Sequence, residues 1–253
     1  MKNPKRIGAH WGILPIVAFL AAWEMVARFH LIPGEIFLPA FSTVIRQLIH
    51  LAGEGILTDH LLRSGVRVLI GFCAGSVAGI AIGTVMGWNE IMNRTLHPVF
   101  SLLYPIPALG WLPLLMIWVG IGEMLPILII FICSFFPILY NTVTGIRGVN
   151  RDFIKAAKTL GASDFRVLTT VLLPIALPNI FTGLRLEAGM AWRVIIAAEM
   201  VAIPTGIGAL MMKAESLMRI DIIIVCLMIL SAVCFSIEKL FLYVEQRLTK
   251  EWR

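Results

Sequence analysis

Charge is scarce in this chain: 14% of its 253 residues are Asp, Glu, Lys or Arg, while 59% are hydrophobic. Soluble domains carry about a quarter charged residues, so this composition, with a mean hydropathy of +0.91, excludes that class. No Gly is followed by Lys, which excludes the G-x-x-x-x-G-K-[ST] loop that cradles nucleotide phosphates. Cysteine is limited to Cys73, Cys133, Cys226 and Cys234, all inside apolar stretches, where they read as packing residues rather than a disulfide set or a metal site. His10, His30, His50, His60 and His97 are scattered without metal-ligand spacing, so nothing marks a membrane enzyme.

What the chain has is apolar length. A membrane span needs about 20 apolar residues, and windows at 9–28, 68–87, 96–119, 124–144, 177–198 and 220–242 supply them. They are too long for the strands of a membrane barrel. The expectation is an all-α integral membrane protein with six transmembrane helices and a single domain, residues 1–253: an N-terminal span within 1–35, then a core at 36–248. The first window follows Lys2, Lys5 and Arg6 as a signal peptide would, but its apolar run exceeds a signal core and no small-residue cleavage site precedes Glu24. It reads as a retained span.

Lys and Arg near span ends favour the cytoplasm. With the N-terminus inside, the cytoplasmic segments hold Lys2, Lys5, Arg6, Arg94, Arg147, Arg151, Lys155, Lys158, Arg166, Arg247, Lys250 and Arg253, against Arg46, Lys213 and Arg219 in the outer loops. Arg28, Arg63 and Arg67 at outer helix ends run against the bias. Both termini are therefore expected in the cytoplasm.

The first outer loop, 30–62, reads as an extended Pro-containing stretch followed by an interfacial amphipathic helix in "FSTVIRQLIHLAGEG". In the second span Gly71, Gly75, Gly79, Gly83 and Gly87 recur every four residues, which suits close helix packing or, less simply, a hinge. Each step advances about 40° around the helix, so the glycines are expected to serve more than one neighbour. The third span contains Pro98, Pro105, Pro107 and Pro113, with Trp111 among them. Proline removes a backbone donor and kinks a helix, and in lipid the freed carbonyls need protein or a wet cavity. The segment is either a kinked structural helix or part of a path.

The fifth span carries Arg185, Glu187, Arg193 and Glu199. Intramembrane charges by default mark a pathway or an internal pair. At 100° per residue Arg185, Gly189, Trp192, Ile196 and Glu199 share a stripe, with Arg193 beside it and Glu187 pointing away. That stripe is the candidate wet surface, although snorkelling or a structural salt bridge accounts equally well for Arg185.

Between the fourth and fifth spans, "GIRGVNRDFIKAAKTLGASDFRVLTTVLLP" reads as two short helices over 145–174. Asn150 suits an N-cap, Gly161 a left-handed C-terminal position, and Ser163 the cap of the second helix, which Pro174 and Pro178 then bring toward the membrane. Ala156 and Ala157 would form a flat knob for another protein's groove.

Lys155, Ala156, Ala157, Gly161, Val171, Leu173 and Pro174 carry a known pattern: two alanines, three residues, Gly, nine residues, an aliphatic, one residue, Leu-Pro. This resembles the cytoplasmic coupling loop of the membrane subunits of bacterial ABC importers, the binding-protein-dependent permeases. Lys155 replaces the usual leading Glu. "YPIPALGWLPLLMIWVGIGE" and "GLRLEAGMAWRVIIAAEM" are similar to the third and fifth spans of the branch handling sulfonates, taurine and nitrate, with Gly110 and Arg193 as departures.

The resemblance implies a type I importer permease fold in the inner membrane: a homodimer around a path lined by Pro105, Pro107, Trp111, Pro113, Arg185, Gly189, Trp192, Arg193 and Glu199. It also implies two ATPase subunits carrying ATP and Mg, a substrate-binding protein outside, and no cofactor on this chain. Nucleic acid has no place in it. A small anion is the expected cargo, from Arg193 and Arg185 along an apolar path. The alternatives are a neutral or cationic cargo such as a pyrimidine precursor, and a self-sufficient secondary transporter.

Overall fold

The computed structural model describes residues 10–29 and 38–248, all of whose regular structure is helical. The basic residues Lys2, Lys5, Arg6, Lys250 and Arg253, His30 and most of the extended stretch of the first loop lie outside the described residues.

Helix α1 (His10–Arg28) is the described part of the expected first span, and α2 (Phe41–Gly53) is the expected amphipathic helix, with Val44 and Leu51 buried. Glu24 ties them, accepting from the Ser42 backbone N–H at 3.0 Å and from its hydroxyl at 2.9 Å. Three further apolar helices follow the expected windows but outrun them: α3 (Ile56–Trp88), α6 (Met124–Arg147) and, after the polar loop, one continuous helix over Asp164–Ala202. The last apolar helix is α11 (Ile220–Leu248), reached through α10 (Ile207–Ser216).

The glycine row of α3 packs against one helix, not several. A Cβ on Gly71, Gly75, Gly79 or Gly83 would lie 2.6–2.8 Å from the carbonyl oxygens of Ile127, Phe131, Phe135 and Leu139 in turn. Gly87 abuts the side chain of Ile146 instead. Four-residue steps on α3 match four-residue steps on α6, so the partner follows the ridge as it winds and the 40° drift never releases it. Backbone approaches backbone along about 18 Å, from Gly71 to Gly83.

That register also fixes direction. Residue numbers rise together on α3 and α6, so the two helices run parallel. The chain between them must therefore return from the level of Trp88 to that of Arg67, about 30 Å at 1.5 Å per residue. It does so as α4 (Glu90–Leu103), a 3-10 turn (Ala108–Trp111) and α5 (Leu112–Val119), the two halves bent by 83°. The expected third span is thus broken rather than kinked. Pro98 leaves α4 intact, whereas Pro105 and Pro107 occupy the break and Pro113 opens α5, where its missing N–H costs nothing.

The second helix of the polar loop is not separate either. α8 (Asp164–Val167) passes through a π turn (Leu168–Leu172) into α9 (Leu173–Ala202). Proline in a helix interior clashes with the carbonyl four residues back, and the wider π turn just before Pro174 relieves that clash, so the helix runs on through Leu173 and Pro174.

Candidate functional site

At one end of the bundle lie the close of α3, the close of α6 and the polar loop. There α7 (Arg151–Thr159) is capped by Asn150, whose side chain accepts from the Asp152 N–H at 3.0 Å. The helix closes with Gly161 at φ +84°: Gly161 N–H bonds to the Lys158 carbonyl at 2.9 Å and Ala162 N–H to that of Ala157 at 3.0 Å. This paired closure needs a left-handed residue at Gly161 and satisfies carbonyls the helix would otherwise leave bare. Ser163 caps α8 by accepting from the Arg166 N–H at 3.3 Å.

The two alanines face opposite ways. Ala156 is exposed, while Ala157 packs inward with Ile154 against Ile146, Val167 and Leu172. The expected pair-of-alanines knob is therefore corrected: the solvent-facing apolar row is Phe153, Ala156 and Leu160, one face of α7, with Leu160 88% exposed. Val171, Leu173 and Pro174 lie in the π turn and the start of α9, where Val171 and Leu173 border the same cluster. Lys155 is exposed and sits 3.5 Å from Asp152.

The α9 stripe expected to be wet is largely dry. Gly189 lies against Glu238 of α11, and Trp192 against Gly65 of α3; Ile196 is buried in the core. Glu199 is fully buried and accepts from Arg67 Nη1 at 2.6 Å, from the Ser64 hydroxyl at 2.8 Å and from the Gly208 N–H at 3.1 Å. Arg67 in turn donates to Glu123 at 2.7 Å and to the Thr205 carbonyl at 2.9 Å, and the Ser64 hydroxyl accepts from the Ile207 N–H. Arg67 and Glu199 together tie α3 and α9 to the α5–α6 turn, the α9–α10 loop and the start of α10. The tie accounts for Arg67 at the basic-poor end: two carboxylates neutralise it. Arg63 and Arg28 there are likewise paired, with Asp59 and Glu24. Gly206 and Gly208 fit against Glu199 because they have no side chain.

Arg185 is bridged to Glu245 at 2.9 Å, the structural option, while Arg193 stands exposed with Glu238 no closer than 3.5 Å. Of the path candidates, Pro105, Pro107, Pro113 and Arg193 are exposed; Trp111 is half-buried in a cluster around Leu115, Leu125 and Ile129.

The residue that spacing passed over is Glu187. It points away from the expected stripe, as the helical wheel required, but into a cavity of about 240 Å³ beside the break in the third span. Tyr104, Ile106, Pro107, Cys133, Phe136 and Met190 line it. A deep acid on α9 and prolines on the preceding span were both visible in the sequence; their adjacency was not. Of its lining residues Tyr104, Ile106 and Met190 are exposed, so this cavity opens on an outer face of the bundle. Among the described residues no group of three or more His, Cys, Asp and Glu side chains is placed to hold a metal.

The profile describing the binding-protein-dependent transport system inner membrane component matches residues 75–250. The taurine transport system permease protein TauC of Escherichia coli is 34% identical over 239 residues, covering 92% of this chain and 86% of TauC. The nitrate import permease protein NrtB of Synechocystis is 35% identical over 186 residues, 74% of this chain and 68% of NrtB. Among solved structures, an inward-facing conformation of the MetNI methionine ABC transporter aligns with a TM-score of 0.59 at 15% identity, over 74% of this chain and 95% of the other, which is a likeness of fold.

Proposed function

Because this chain belongs to the binding-protein-dependent transport system inner membrane components, we propose that it is the transmembrane subunit of an ATP-driven importer, acting as a homodimer with two copies of a separate ATPase and an external binding protein. Its fold is that of the type I ABC importer permeases, and its place is the inner membrane. In this reading the subunit is a single domain that crosses the membrane six times with both termini in the cytoplasm, and ATP and Mg are held by the partner.

The observation that carries the proposal is the apolar row Phe153, Ala156 and Leu160. It stands on a short helix locked at both ends, beside Arg151, Lys155 and Lys158 at the basic end of the bundle. A helix presenting apolar side chains at this spacing suits the groove of another protein. Because Ala157, Val167 and Leu172 join the loop to α6 and α9, a push on α7 would reach the spanning helices through packed side chains. Different contacts in the two nucleotide states of the ATPase must bias that movement.

The homodimer reading draws support from the position of the broken span, whose cavity opens on an outer face that a second copy would enclose. Cargo of the sulfonate, taurine or nitrate type is supported by the names of the relatives and by Arg193, an exposed cation in an apolar span.

Copurification tests the proposal. Native chain should capture a family ATPase subunit produced together with it, and Ala156→Glu or Leu160→Asp should abolish capture while leaving the membrane fold intact, since both side chains face solvent. Full capture by both variants overturns the docking surface. Uptake by the purified chain alone, driven by an ion gradient, overturns the importer reading in favour of a secondary transporter.

A further inference from the structure

Among the described residues, the acids of the spanning helices are matched with cations, except one. Glu199 lies on Arg67, Glu238 near Arg193, and Glu245 on Arg185. Glu187 is 9% exposed, and among the described residues its one hydrogen-bond partner is the Cys133 thiol at 3.6 Å. A thiol is a weak donor, and a carboxylate kept from water needs more than that. The cavity it faces holds no cationic side chain and is walled largely by Ile106, Pro107, Met190 and the rings of Tyr104 and Phe136.

Those rings decide what the cavity suits. Tyr104 and Phe136 stand with centroids 6.4 Å apart, and Tyr104 also contacts Tyr140 at 5.0 Å. Aromatic faces carry negative electrostatic character and attract ammonium groups, more strongly where water is excluded. Carboxylate and rings together would repel an anion. The volume, about 240 Å³, admits a small organic group with a few waters, each about 30 Å³.

We propose that Glu187, with Tyr104 and Phe136, forms a subsite for the ammonium group of a small organic cargo, so that the transported solute is a zwitterion such as an amino-sulfonate rather than a bare anion. This rests on the homodimer reading above, in which the outer face at the broken span is enclosed by a second copy, and takes that enclosed face as part of the path. Cys133 keeps the empty carboxyl hydrogen-bonded, and the incoming ammonium supplies the missing charge. The cation at Arg193 lies on another side of α9, about 9 Å along its axis, where it meets the anionic end at a different stage of passage.

Two measurements test this on the permease–ATPase complex in lipid nanodiscs. In the first, dicyclohexylcarbodiimide modifies accessible carboxyls and mass spectrometry reads Glu187, with tetramethylammonium chloride or sodium methanesulfonate as the probe. Tetramethylammonium should slow modification of Glu187 several-fold and methanesulfonate should not. No modification at Glu187, no protection, or equal protection by both salts overturns the subsite. In the second, the complex is reconstituted with its binding protein, and uptake of taurine is compared with that of isethionate, which bears a hydroxyl in place of the amine. Glu187→Gln should lower the taurine-to-isethionate ratio by about tenfold, the scale of one charged hydrogen bond. An unchanged ratio overturns the proposal, including the case where both rates fall together because the fold has suffered. If the native complex takes up neither compound, the sulfonate reading fails, and the labelling result alone decides the subsite.

Discussion

Arg67 on α3 and Glu199 on α9 meet at 2.6 Å with both side chains buried, and the same guanidinium reaches the far more exposed Glu123 at 2.7 Å. One arm of this tie is internal and the other lies at the surface. Removing one partner of a buried pair leaves an uncompensated charge, a loss of about 3–5 kcal/mol, whereas replacing both with apolar groups is often neutral. Arg67→Met and Glu199→Met should each lower the stability of the purified permease by about 3–5 kcal/mol. The double variant should lose less than the sum, and strict additivity in thermal or denaturant unfolding would show that the residues do not act as a pair.

The exposed arm gives a pH signature. Arg67 holds the Glu123 carboxyl below its ordinary value of 4.5 through a hydrogen bond and its charge. A carboxyl depressed in the folded state contributes stability above its unfolded pKa and loses it as pH falls through the folded value. Native protein should therefore begin to lose stability as pH falls below that ordinary value of 4.5, and Glu123→Gln should flatten that part of the curve. Identical acid profiles for the two proteins would contradict the linkage.

The α3–α6 contact predicts a graded cost for small side chains. Gly79→Ala and Gly83→Ala each place a methyl 2.8 Å from a backbone oxygen of α6, where no side chain can yield. Overpacking of this kind costs about 1–3 kcal/mol. Gly53→Ala, with nothing within 4 Å in α2, should be neutral or gain about 0.5–1 kcal/mol. Equal melting temperatures across the three would refute backbone-to-backbone packing.

The α7 loop should loosen without unfolding the bundle. Gly161 sits at φ +84°, so Gly161→Ala strains it by about 1–2 kcal/mol, and Asn150→Ala removes a cap worth about 1 kcal/mol. Hydrogen exchange over 151–163 should accelerate in both variants while α6 and α9 keep their protection.

Arg193→Ala should lower uptake of a sulfonate cargo without measurable loss of stability. Its partner Glu238 is 3.5 Å away and both side chains are at least half exposed, a pairing worth about 0–1 kcal/mol. Unchanged uptake in reconstituted vesicles would remove the reason for assigning an anionic group to that side of α9.

Composition and periodicity settled what local physics controls. Apolar runs of span length made the chain a helical membrane protein, and Asn150, Gly161 and Ser163 placed the ends of the polar loop's helices, because capping depends on residues within one turn. The four-residue glycine spacing gave close packing but not its partner. A helical wheel shows which side chains share a face, and only the crossing of α3 with α6 decided that one neighbour tracks the whole row. The same limit separated the two alanines of the loop, of which only Ala156 faces solvent, and turned Glu199 from a wet residue into a buried tie, since its partners Ser64 and Arg67 are 135 and 132 positions away. Glu187 shows the limit most plainly: the sequence gives an acid in a span, and the fold alone sets it beside Tyr104 and Phe136, because long-range adjacency follows from how helices cross and not from the order of residues along any one of them.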